Sequence, residues 1–230
     1  PSDSNERVRF EILPGESFRT VAGRLESAGL VTDAFKFGLL ARFHGTAQKI
    51  RVGEYAIQKN ALPNQVLSTI TSGKSIEYSI TIQEGLNVYE ISGLLNKQGI
   101  ISGEEFLTLC RDPEFLFEML GERLTSCEGY LFPETYKLTK FTTSRALMRI
   151  MMQNFLRNFT SITPSPVLNL SRHQIVTLAS IIEKETGAGD ERQLVSSVFH
   201  NRLYKKMKLQ TDPTVVYGIL DSGKLYAGNI

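Results

Sequence analysis

Apolar and polar residues alternate in two short stretches, "RVRFEIL" at 7–13 and "EYSITIQ" at 77–83, the period of a half-buried strand. Each stretch runs into a glycine turn and then a short amphipathic helix. The likeness extends position by position. Ile12, Gly15, Gly23, Leu25 and Gly29 have counterparts at Ile82, Gly85, Gly93, Leu95 and Gly99, always 70 residues on. The apolar pairs Phe18/Val88, Val21/Ile91 and Val31/Ile101 keep the same offset. Gly29 and Gly99 sit where a helix ends in a left-handed residue. Between the copies, a strand is predicted over 52–57 and a helix ending near Gly73. Ser102 and Glu105 form a capping-box pattern for the helix after the second copy.

Beyond Gly99 the pattern is mainly helical. "GEEFLTLCRD" and "PEFLFEMLG" read as short helices, with Pro113 at a first-turn position. "SCEGYLFPETYKLTK" interrupts them and crowds Tyr130, Phe132 and Tyr136 around Glu128 and Glu134. Helical spacing resumes over 144–159, "TPSPVLNL" reads as a linker, and Ser171 with Gln174 opens a further helix. A turn and another helix follow, then a loop at "LQTDPT" in which Pro213 disfavours a helical Asp212. The fold class is therefore α+β. A small α+β module over 1–75 is followed, over 76–230, by the second strand–helix repeat leading into a mainly helical domain. The strand–turn–helix unit is a packing solution that requires no chemistry; its β-α-α-β plan is also similar to the LysM type of carbohydrate-binding module.

Composition adds exclusions more than it adds a function. The 230 residues carry 26 basic and 24 acidic side chains, well mixed, for a formal charge of +2. That balance leaves no basic footprint for nucleic acid. No apolar run approaches the roughly 18 residues that span a bilayer. His44, His173 and His200 lie without ligand spacing, and no phosphate-binding glycine loop occurs. Neither a metal nor a nucleotide cofactor is expected. Cys110 and Cys127 are too few for a disulfide framework, and either a single bridge or two thiols fits.

Chemistry concentrates in "LASIIEKETG", 178–187. At about 100° per residue, the aliphatic side chains from Ile175 to Ile182 fill a broad arc, with Glu183 on one flank and Glu185 on the other. At least one of the two acids is then partly desolvated, the condition that raises a carboxyl pKa toward general-acid use. The two leave the helix roughly 160° apart, so they cannot form the close carboxylate pair of a retaining glycosidase. Periodicity alone does not choose between them.

These segments, in order "EGYLFPETY", "LASIIEKETG", "ER", "VSSVFHNRL" and "MKLQTDPTVVYG", resemble the MltG/YceG endolytic murein transglycosylases. The resemblance covers most of the chain. It implies a bacterial envelope enzyme held in the inner membrane by a helix preceding Pro1, its catalytic part facing the periplasm or the outside. It also implies a further segment beyond "YAGNI". Such an enzyme cleaves nascent peptidoglycan strands internally and ends their elongation, alongside peptidoglycan synthases. The catalytic acid implied is Glu183, with Glu185 structural and paired to a base. Asn201, Gln210, Asp212 and Thr214 match motif positions placed along a saccharide cleft. Glu128, Tyr130 and Tyr136 match "EGYLFPETY" and serve either as contacts to sugar, which aromatic faces suit, or in packing, while Glu191 supports the active-site helix.

Two other readings compete. A non-catalytic glycan-binding or scaffold protein would rest on the repeated module alone. A water-using muramidase would need a base near the anomeric carbon, with Glu191 or Asp212 as candidates.

Overall fold

In the computed structural model, which describes residues 6–162 and 168–222, the first alternating stretch is satisfied by pairing. Strand β1 (Arg7–Ile12) runs antiparallel to β2 (Gly53–Gln58), with Val8 opposite Ile57 and Phe10 opposite Tyr55. Between them lie α1 (Phe18–Ser27) and α2 (Ala34–Phe43), and α3 (Pro63–Ser72) follows. Ser17 caps α1 by accepting from Thr20 N–H, and Asp33 caps α2 by accepting from Lys36 N–H. Caps of this kind satisfy backbone donors that the first helical turn leaves unpaired. Inward-facing Phe10, Ile12, Val21, Leu25, Phe37, Tyr55, Ile57, Val66 and Ile70 make a continuous core. The predicted helix end at Gly73 holds (φ +75°), as do Gly29 (φ +69°) and Gly99 (φ +73°).

The second alternating stretch is shorter. Strand β3 (Tyr78–Thr81) pairs antiparallel with β4 (Thr135–Leu138), Ile80 opposite Tyr136. The sequence reading assigned no strand to β4. Four residues bounded by Pro133 and a run of threonines give too short a period to recognise, and its partner lies more than fifty residues away.

The remaining elements are helices: α4 (Val88–Gln98), α5 (Gly103–Cys110), α6 (Pro113–Leu120), α7 (Ser144–Phe159), α8 (Arg172–Glu185), α9 (Arg192–Tyr204) and α10 (Asp212–Asp221). The chain divides into two compact units. One comprises Pro1–Thr81, Leu95–Ser102 and Thr135–Leu147; the other comprises Ile82–Leu94, Gly103–Glu134 and Met148–Ile230.

In the second unit, Phe106, Phe115, Leu116, Met148, Met151 and Met152 are buried, which makes the methionine pair of α7 core filling. A smaller cluster joins Leu178 and Ile181 of α8 to Phe199 of α9. Most of the expected linker at 163–170 falls outside the described residues. The expected loop at Asp212 is instead the first residue of α10, with Thr211 extended before it (φ −122°, ψ 132°). Proline costs a helix little in its first turn, where its missing N–H has no partner to lose.

Cys110 and Cys127 form a disulfide, 17 residues apart, and both are buried. It ties the end of α5 to the segment leading into "EGY", beside a backbone bond from Cys127 N–H to the Cys110 carbonyl (2.9 Å). A Cys110→Ser/Cys127→Ser variant is expected to lose ~2–4 kcal/mol of unfolding free energy. Denaturant titration with and without reductant checks this: the parent protein should respond to reductant and the variant should not.

Candidate active site

A side chain near the end of a helix is no better fixed than the helix that carries it. Helix α8 is held along its length, all within the second unit. At its start, Ser171 and Gln174 form the predicted capping box. Arg172 pairs with Glu122 (2.8 Å) and donates to the Leu120 carbonyl at the end of α6. His173 meets the Tyr130 hydroxyl (3.1 Å). One turn on, Val176 lies against Gly129, where a Cβ would stand 2.6 Å from its Cγ1; with φ at +80°, only glycine fits there. Farther along, Leu178 and Ile181 pack on Phe199, and both α9 and α10 contact α8.

The two acids of α8 meet different surroundings. Glu185 is exposed and has no ion-pair partner among the described residues, so the paired structural role expected for it is not what the chain adopts. Glu183 is partly covered, its side chain 32% exposed, and Arg192 Nη2 reaches its Oε1 at 3.0 Å. The turn at Gly85 lies beside it: a Cβ on that glycine would be 3.7 Å from both Cγ and Oε1 of Glu183. Glu191 extends from the start of α9 to accept from the Thr186 hydroxyl (3.0 Å), immediately past the end of α8. A half-exposed ion pair such as Arg192–Glu183 contributes only ~0–1 kcal/mol. Arg192 Nε is buried without a hydrogen-bond partner among the described residues, a cost of ~1–3 kcal/mol. Stability does not account for the arrangement.

The "EGY" motif plays a clamping role. Glu128 Oε2 accepts from Val88 N–H (3.1 Å) at the start of α4 and from the Tyr217 hydroxyl (2.8 Å) on α10. Burial, and then the bond to Glu128, push the Tyr217 hydroxyl pKa well up, so it remains a donor. The far end of α10 is tied by Asp221 to Tyr89 (2.8 Å) and Arg111 (3.1 Å). Tyr130 is fully buried, with Phe155 edge-on and His173 stacked. Its hydroxyl is pushed up to about 12, first by burial and then by the Glu122 charge, against the opposing Arg172. Tyr136 is buried too, in β4 of the first unit. Neither tyrosine offers a ring face to a sugar, and of the two expected roles both rings take packing.

The polar motif residues are open. Asn201 on α9, and Asp212 and Thr214 on α10, are exposed, with the Thr214 hydroxyl donating to the Thr211 carbonyl (2.7 Å). Gln210 is exposed in a left-handed conformation (φ +51°); non-glycine residues held there concentrate at functional sites. No hydrogen bond joins these four to Glu183 among the described residues. Arg192 and Tyr217 carry no signal in the sequence pattern, and Gly85 appears there only as a turn in the repeat.

A search against families of known proteins identifies what this geometry belongs to: residues 10–229 match the YceG-like family. The chain belongs to the YceG-like family. An endolytic murein transglycosylase from Streptococcus pneumoniae R6 is 28% identical over 98% of this YceG-like chain and 45% of its own length. One from Bacillus subtilis 168 is 28% identical over 94% of the chain and 64% of its own. The chain thus spans under half the length of the pneumococcal relative. A crystal structure of a YceG-like protein from Listeria monocytogenes matches with a TM-score of 0.55 and 25% identity, over 98% of this chain and 78% of that one.

Glu128→Ala should cost about 2 kcal/mol and Tyr217→Phe about 1 kcal/mol. Measured by urea unfolding, the double variant should fall short of their sum by roughly 1 kcal/mol, because the two groups share one bond.

Proposed function

We propose that this chain carries the catalytic machinery of an endolytic peptidoglycan transglycosylase, with Glu183 as its acid and base. Glu183 gives a proton to the glycosidic oxygen between MurNAc and GlcNAc as the bond from that oxygen to the anomeric carbon breaks. As carboxylate, it then takes the proton from the MurNAc 6-hydroxyl, whose oxygen bonds to the anomeric carbon. The proton returns to Glu183, no water is consumed, and the strand ends in 1,6-anhydro-MurNAc. Cutting nascent strands internally in this way ends their elongation.

The observation that carries this reading is a single partly covered carboxylate, Glu183, on a helix anchored along its length, while Glu185 points to solvent. One group used twice needs no second carboxylate at a set distance. The water-using alternative loses support because the Glu191 carboxylate is engaged by Thr186 and Asp212 opens α10. The names of the relatives point to the same activity.

Around Glu183 we place Asn201, Gln210, Asp212 and Thr214 as hydrogen-bonding groups for the saccharide, with Glu191 bracing the end of α8. We read 1–75 as a LysM-like module and 76–230 as the repeat leading into the YceG-like domain. A cleft of about 670 Å³ lined by Phe18, Phe35 and Leu39 is the candidate glycan groove of that module. The substrate and the Cys110–Cys127 bridge both favour a catalytic part outside the cytoplasm. Anchoring by a single inner-membrane helix and work beside peptidoglycan synthases complete the reading; among the described residues no helix is long and apolar enough to cross a membrane.

A Glu183→Gln variant, nearly isosteric, should release anhydro ends from intact glycan strands at least about 10²-fold more slowly, with glycan binding kept. Mass spectrometry identifies the product, since an anhydro end is lighter than a hydrolysed one by one water. Unchanged release would remove Glu183 from the mechanism.

A further inference from the structure

Thr186 closes the short turn between the two helices that meet at Glu183. It follows α8 in an extended conformation (φ −139°, ψ 130°) and is buried. Its hydroxyl accepts from Ala188 N–H (3.1 Å) and donates to the Glu191 carboxylate (3.0 Å). The first residue of α9, Arg192, is thereby brought back over the last turn of α8.

The result is an asymmetric carboxyl. Oε1 of Glu183 faces the Arg192 guanidinium at 3.0 Å and the backbone of Gly85. Oε2 has no hydrogen-bond partner among the described residues. Arg192 occupies Oε1 through a single bond from Nη2, which leaves Oε2 as the oxygen open to a ligand. Arg192 also leaves its own Nε buried and unpaired among the described residues, a loss that exceeds what a half-exposed ion pair returns. The side chain is held where it orients Glu183, at the expense of its own hydrogen bonding.

We propose that Arg192 is a positioning residue that occupies Oε1 and so orients the carboxyl, leaving Oε2 as the oxygen that delivers and recovers the proton. This rests on the reading of Glu183 as the acid and base. A carboxyl free to turn would present the wrong oxygen or the wrong angle. Misplacement by about 1 Å is enough to cost about 10²-fold in rate.

The test compares wild type, Glu183→Gln, Arg192→Ala and Arg192→Lys for anhydro-end release from glycan strands. Arg192→Ala should lower kcat about 10²-fold and leave KM within about threefold, because binding is not what Arg192 supplies. Added guanidinium ion should restore at least about tenfold of that loss, and the same concentration of ammonium should not, since only the former matches the group removed. Arg192→Lys, which keeps the charge but ends short of where Nη2 stands, gives the same comparison should the alanine variant fail to fold: kcat should fall at least about tenfold with KM unchanged. A wild-type kcat in Arg192→Lys, or a loss in Arg192→Ala that guanidinium does not recover, overturns the proposal. Activity retained by Glu183→Gln would instead overturn the reading of Glu183 on which the proposal rests.

Discussion

The apolar face of α8 does two things at once. Val176, Leu178 and Ile181 bury the helix against its neighbours, and the same burial fixes where its last turn, with Glu183, must lie. An aliphatic face is non-directional, so it sets depth better than it sets rotation. Rotation comes from polar contacts at both ends: Arg172 to Glu122 and the Leu120 carbonyl at the start, and the Thr186–Glu191 bond at the finish. Gly129 sets the distance between helix and loop, because its missing side chain lets Val176 approach. Each contact is worth little alone. Their joint effect is a carboxyl held on a surface that water still reaches.

The same economy explains the "EGY" segment. Glu128 at a surface would be free to bind a ligand; here its Oε2 is held between the start of α4 and Tyr217 of α10. The neighbouring disulfide holds the segment on its other side. Together these bonds tie α4, α5 and α10 to a loop that Gly129 and Tyr130 also locate against α8. A motif that reads as a binding element from its residue types is, in three dimensions, the fastening of the helices around it.

What the sequence makes legible follows from what is local. The strand at β1, the glycine ends of α1 and α4, the caps at Ser171 and Gln174, and the flanking position of Glu183 all depend on neighbours within a few residues, and all could be read directly. Residue types are less informative about partners. Glu183 and Glu185 looked alike because periodicity describes a helix alone, and what distinguishes them comes from Gly85 and Arg192, on other elements. Tyr130 and Tyr136 have the right chemistry for sugar faces, yet burial removes those faces from solvent. Strand β4 depends on a partner at β3, far back in the chain. The choice of Glu183 came from the family resemblance and not from the pattern.

The two copies of the repeat show how one local plan can serve unequal purposes. Their turns are alike in backbone, with φ of +80° at Gly15 and +76° at Gly85. Around Gly15 there is open space, whereas beside Gly85 stands the carboxyl of Glu183. The first turn can therefore drift to any residue that accepts a left-handed backbone, asparagine foremost. The second is bound twice, by its backbone angle and by its neighbour, and has far less freedom to vary. A duplicated scaffold of this kind ages unevenly: one half keeps its latitude while the other gives it up to chemistry.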